Sequence, residues 1–226
     1  MYDTIIKLMN DSALKEKTGN WLLKSIEDNF KNTLIPLVPK WLETYHLTWM
    51  TIIWSVLVVA FFYLGLENNL YYWFVPLFVV LQYITDLLDG AVGRHRDTGL
   101  VKWGYYADHF LDFIFLCAVI FGYALVTGFG IWTFLLLAVV SAFMVHAFLL
   151  VSTNEEFQIS LFGIGPTEGR VIFIISHLTL VYFGIDLLVN LLPYIVGSLS
   201  LFLLYAFLAS QIKLWKLDMQ IKHNNI

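Results

Sequence analysis

Two pairs of aspartates interrupt a chain that is otherwise mostly hydrocarbon. Asp86 and Asp89 are spaced i, i+3, and Asp108 and Asp112 are spaced i, i+4. On helices, each pair therefore shares one face. The pairs stand at adjoining ends of two consecutive apolar runs, so antiparallel helices would turn them toward each other. Carboxylates inside or at the rim of a membrane span are costly and mark a functional site by default. Four of them in a poorly solvated place repel and need cations. An all-oxygen donor set favours a hard ion such as Mg²⁺, Mn²⁺ or Ca²⁺. Between the pairs, Gly90 and Gly93 leave backbone open to close approach by a ligand, and Arg94 and Arg96 supply fixed positive charge suited to phosphate. Together these groups suit binding of a diphosphate and stabilisation of charge as a phosphoryl group transfers. Four unrelated rim carboxylates in headgroup water are the plainer alternative, and the shared helical spacing on one membrane side argues against it.

The elements that must carry these residues follow from composition. Of 226 residues, 59% are apolar or aromatic and 13% are charged, against about half and about a quarter in a soluble domain. Nineteen Phe, twelve Tyr and eight Trp are more than one small soluble domain can hide. A soluble enzyme is excluded, and so is disorder. A net charge of −4 argues against a nucleic-acid partner. The single cysteine, Cys117, excludes an intramolecular disulfide and a multi-cysteine zinc site. The fold class is all-α, an integral membrane bundle. A spanning helix needs about 20 mostly apolar residues, and six runs qualify: 47–66, 71–90, 105–127, 131–152, 171–191 and 194–215. The breaks fall at Glu67-Asn68-Asn69, Gly93 to Gly104, Gly128 to Gly130, Ser152 to Gly169 and Asn190 to Pro193. No repeat or low-complexity linker divides the chain. Residues 1–45 are expected to be juxtamembrane, 46–216 the catalytic bundle, and 217–226 a cytoplasmic tail.

All thirteen Lys and Arg residues fall on one side of a six-span chain. Because Lys and Arg near span ends collect in the cytoplasm, both termini and the aspartates are expected there. The first 45 residues lack the compact apolar core and small-residue cleavage site of a signal peptide. Leu22, Leu23, Ile26 and Phe30 recur at helical spacing among Lys24, Glu27 and Asp28. That pattern predicts an amphipathic helix in the headgroup region, with Trp21 as an anchor. A cytosolic helix packed on neighbouring loops is the alternative. Pro36 and Pro39 then turn the chain toward the first span.

In order, the chain reads Asp86-x2-Asp89-Gly90-x2-Gly93-Arg94-x9-Gly104-x3-Asp108-x3-Asp112. This resembles the signature of the CDP-alcohol phosphotransferases, matching seven of its eight marked residues over 27 positions. The departure is Gly93, where the family has alanine. The loss of one methyl keeps close backbone approach possible. The resemblance implies transfer of a substituted phosphate from a CDP-alcohol donor to a hydroxyl on a lipid or polar alcohol acceptor, with release of CMP. It implies two divalent ions, Mg²⁺ or Mn²⁺, held by Asp86, Asp89 and Asp108 with Asp112 as the last carboxylate. Asp112 would take the acceptor's proton, and Gly90, Gly93, Arg94 and Gly104 would line the nucleotide. A homodimer among membrane lipids is also implied.

Two features resemble the branch that transfers phosphocholine or phosphoethanolamine to a diacylglycerol-like lipid: His109 directly after Asp108, and the stretch Gly165-Pro166-Thr167-Glu168-Gly169. If that stretch folds over the site, His109 with Glu168 forms a second candidate base unit, a carboxylate orienting an imidazole. Transfer from CDP-diacylglycerol to a small polar alcohol is the alternative within the family. His109 can equally be a side chain bonded to a neighbouring carboxylate, and the glycine-flanked stretch a simple turn. Arg170 offers a further contact for a bound diphosphate. His146 and His177 lie one and a half to two turns inside their spans, where such side chains more often bond a neighbouring helix. Outside the family, an intramembrane prenyltransferase and a divalent-cation carrier also use membrane aspartates. The Gly90-x2-Gly93-Arg94 continuation disfavours the first, and the clustering at one rim disfavours the second.

Overall fold

The computed structural model describes residues 22–98, 100–154, 166–184 and 186–224. Among them are seven α-helices: α1 (Lys24–Leu34), α2 (Thr44–Gly65), α3 (Val75–Arg96), α4 (Val101–Thr127), α5 (Ile131–Asn154), α6 (Pro166–Phe183) and α7 (Asp186–Asn224). Short 3₁₀ turns at Ile35–Leu37 and Asn69–Phe74 lead toward α2 and α3. Local chemistry sets several ends. Glu43 and His46 form a reciprocal capping box at the start of α2, satisfying amide groups that a helix start leaves unpaired. Pro76 sits in the first turn of α3, where its missing N–H is harmless. Asp97 stops α3 in the left-handed region at φ 54°.

Among the described residues, five helical segments are long and apolar enough to cross a membrane: α2, Asn69–Arg96, α4, Ile131–Leu150 and Asp186–His223. The fifth expected span is occupied by α6, which has 18 residues and opens with Glu168 and Arg170. At about 1.5 Å per residue α6 reaches about 27 Å, just under the hydrocarbon thickness of about 30 Å.

Three expected boundaries move. The break before the last span falls at Gly184, φ 102°, and α7 continues through Asn190 and Pro193. Glycine accepts that left-handed backbone without a Cβ clash, whereas proline within a helix removes one amide bond that neighbouring packing can offset. Helix α3 passes through Gly90 and Gly93 to Arg96, so these glycines are helical rather than part of an open loop. Helix α7 also runs past residue 216 to Asn224. Upstream, α1 forms where the amphipathic pattern predicts a helix, and none of its residues is fully buried. Trp21 lies outside the described residues.

The centre of the bundle is α2, which packs chiefly on α3 and α4. Its buried seam includes Thr44, Thr48, Thr51, Ser55, Val58, Phe62 and Gly65, alternating steps of four and three. Small residues along such a seam let helices approach closely in lipid. Gly122 of α4 does the same from the other side, since a Cβ there would overlap the Phe62 ring. His177, 1% exposed, ties three elements together. Its Nδ1 meets Tyr123 Oη of α4 at 2.7 Å and its Nε2 meets the Tyr72 carbonyl at 2.9 Å. It is a packing histidine. A second layer places α5 against α7.

Candidate active site

The link between α3 and α4 is short, and both helices pack on α2. Side chains from α3 and α4 then meet beside it. One carboxylate oxygen each from Asp86, Asp108 and Asp112 lies within 4.8 Å of the others. The fourth aspartate is held separately. Asp89, 6% exposed, accepts a 2.9 Å hydrogen bond from Thr48 Oγ1 through Oδ2, and its Oδ1 meets the Gly90 amide. Its charge still acts on Asp108, as do those of Asp86 and Asp112. Three carboxylate oxygens at this separation, with a fourth carboxylate a helical turn away, form an all-oxygen set that could hold a hard divalent cation. Water alone screens their mutual repulsion poorly where the groups are half-buried.

Two further side chains complete the cluster. Arg170 of α6 places Nη2 2.7 Å from Asp86 Oδ2 and 3.9 Å from Asp112 Oδ1, with its guanidinium 5.2 Å above the Tyr83 ring. Gln82 donates from Nε2 to Asp112 Oδ1 at 2.8 Å. Sequence reasoning missed Gln82 and Thr48 and gave Arg170 only an ancillary place. The signals were present: Gln82 lies four residues before Asp86 on the same face, and Thr48 belongs to the row of small hydroxyl residues along α2.

The glycine and arginine residues divide. The guanidinium of Arg94 lies over Gly90, where a Cβ would come within 3.1 Å of Nη1. The bare glycine thus makes room for Arg94 beside the acidic cluster. Gly93 is buried within α3. Gly104 faces open space, one turn before Asp108. Arg96 departs from its expected place as a phosphate-binding charge. It donates to the carbonyls of Leu42 at 2.9 Å, Val38 at 2.8 Å and Pro39 at 3.2 Å, clamping the segment between α1 and α2.

The structure gives His109 and Glu168 different neighbours. His109 Nδ1 lies 2.8 Å from the Tyr105 carbonyl and 3.5 Å from Asp108 Oδ2. Its ring lines a groove of about 410 Å³ between α4 and α5 with Tyr105, Phe113 and Phe148. Glu168 is buried, and its Oε1 accepts the Leu23 amide at 2.7 Å, capping the start of α1 from across the chain. Thr167 bonds the Glu27 carboxylate and lies 3.4 Å from Tyr83 Oη. Gly165 is outside the described residues. His146 sits on α5, and its buried Nε2 has no partner among the described residues.

The family model for CDP-alcohol phosphatidyltransferase matches residues 45–212, a segment that contains every aspartate of the cluster. No curated protein and no solved structure matches the chain.

Proposed function

From the premise that this chain belongs to the CDP-alcohol phosphatidyltransferase family, transferases of substituted phosphate groups in phospholipid synthesis, we propose how its own residues carry out the transfer. The observation that carries the proposal is the meeting of Asp86, Asp108 and Asp112 across two helices, oxygens within 4.8 Å, inside the matched segment. These three and Asp89 hold two divalent ions, Mg²⁺ or Mn²⁺. When bound, such ions neutralise a diphosphate and stabilise charge on the transferring phosphoryl group. Arg94, with Gly90, Gly93 and Gly104, lines the nucleotide. The acceptor oxygen forms a bond to the phosphorus that carries the alcohol. The bond from that phosphorus to the bridging oxygen breaks, and CMP leaves with the bridging oxygen. Asp112 takes the acceptor's proton, as a carboxylate within reach of the reacting hydroxyl can.

The favoured substrates are CDP-ethanolamine or CDP-choline with a diacylglycerol-like acceptor. Support comes from the apolar groove between α4 and α5, which has His109 in its wall next to Asp108. A lipid hydroxyl brought along that groove would meet the imidazole, which makes His109 the second candidate base. The distribution of Lys and Arg supports a cytoplasmic site. The test is CMP release by purified protein in lipid with Mg²⁺. CMP formed only from CDP-ethanolamine or CDP-choline with diacylglycerol is the expected result. CMP formed only from CDP-diacylglycerol with polar alcohols would overturn the substrate assignment and keep the transfer chemistry.

A further inference from the structure

Gln82 is the most deeply buried polar side chain beside the acidic cluster, at 1% exposure. It stands on α3 one turn before Asp86 and reaches across to α4, where Nε2 meets Asp112 Oδ1 at 2.8 Å. Its other polar atom, Oε1, is buried with no partner among the described residues. A half-satisfied amide within a spanning helix is a worse packing element than a hydrocarbon of the same length. Its contribution therefore lies in the one bond it makes. We infer that Gln82 is a positioning residue for Asp112: its amide fixes the rotamer and plane of the carboxylate that receives the acceptor's proton.

The geometry favours Gln82 over its neighbours for this task. Arg170 approaches the same Oδ1 atom, but at 3.9 Å, and its short contact at 2.7 Å is with Asp86. The shorter hold on Asp112 is the neutral one. A single 2.8 Å donor reaching across from α3 fixes which way the Asp112 carboxylate points.

The inference rests on the reading that Asp112 receives the proton, and the test separates the two. Gln82→Met keeps length and volume and removes the donor. It should lower kcat for CMP release about tenfold to a hundredfold, the scale of losses that follow from a misplaced reacting group. KM for the CDP-alcohol should stay within about twofold, because ground-state binding is untouched. The thermal unfolding temperature and its rise on adding Mg²⁺ should be unchanged or higher. Gln82→Leu, read in the same way, guards against a fault peculiar to methionine. Wild-type kcat in both variants would overturn the inference. So would failure of both to fold, or a loss of kcat matched by a loss of unfolding temperature, since either makes Gln82 a packing residue. Asp112→Asn is the control. Normal turnover there removes Asp112 from proton transfer and the inference with it, whereas an inactive Asp112→Asn beside fully active Gln82 variants removes only the positioning role.

Discussion

At the scale of single residues, Thr48 donates to Asp89 Oδ2 at 2.9 Å and ties α2 to the acidic cluster. Thr48→Val should weaken Mg²⁺ affinity rather than abolish turnover. Partners of metal ligands typically contribute about tenfold to a hundredfold in metal affinity, and a Mg²⁺ titration of CMP release reads this directly. Asp89→Asn should be more severe, leaving folded protein without measurable turnover. If Thr48→Val titrates like wild type, its hydroxyl serves packing only. The aspartates are legible in the sequence because carboxylates are rare in apolar runs and their spacing places them on helix faces. Thr48 is less so, because its contact joins residues 41 positions apart. Arg96 is ambiguous for the same reason: a guanidinium beside helix glycines can serve phosphate or carbonyls, and only the path of residues 38–42 decides for carbonyls.

At the scale of elements, helix existence was legible and helix ends were less so. The runs of apolar residues give every expected span a helix, but Gly184 rather than Pro193 breaks the last pair. A glycine can stop a helix or sit within it, and tertiary packing decides. Gly122 shows the packing use. Adding a methyl there drives into Phe62, so Gly122→Ala should destabilise the α2–α4 contact by about 1–3 kcal/mol, as overpacked cores do, measured by thermal unfolding in lipid or detergent. An unfolding temperature equal to wild type would contradict the close contact. The cap from α6 to α1 makes a second prediction. Glu168→Ala removes the acceptor for the Leu23 amide and should loosen the start of α1 by about 1 kcal/mol, the usual worth of a helix cap. Glu168→Gln keeps a carbonyl acceptor and should hold α1 in place. Hydrogen exchange at the first amides of α1 distinguishes them. If Glu168→Gln also loses turnover with α1 intact, the carboxylate charge contributes to the chemistry.

For the molecule as a whole, composition alone fixed the solvent. A chain with 59% apolar residues and several helices long and apolar enough to span belongs in a bilayer. The bundle then explains how the acidic cluster is assembled. Helix α2 draws α3 and α4 to itself, α6 brings Arg170 to the acidic cluster, and α1 is tied above α6 by Glu168 and Thr167. The motif made the cluster readable in advance, while the roles of α1 and α6 depend on contacts between segments more than a hundred residues apart. In the proposed transfer, Asp86, Asp108 and Asp112 act together through a divalent cation on the substituted phosphate of a CDP-alcohol. The deciding experiment is CMP release by wild-type protein and Asp108→Asn, each in lipid with Mg²⁺ and with EDTA. CMP should appear with wild-type protein and Mg²⁺ alone, while Asp108→Asn stays folded and inactive. Turnover that survives EDTA, or persists in Asp108→Asn, would contradict the proposed transfer.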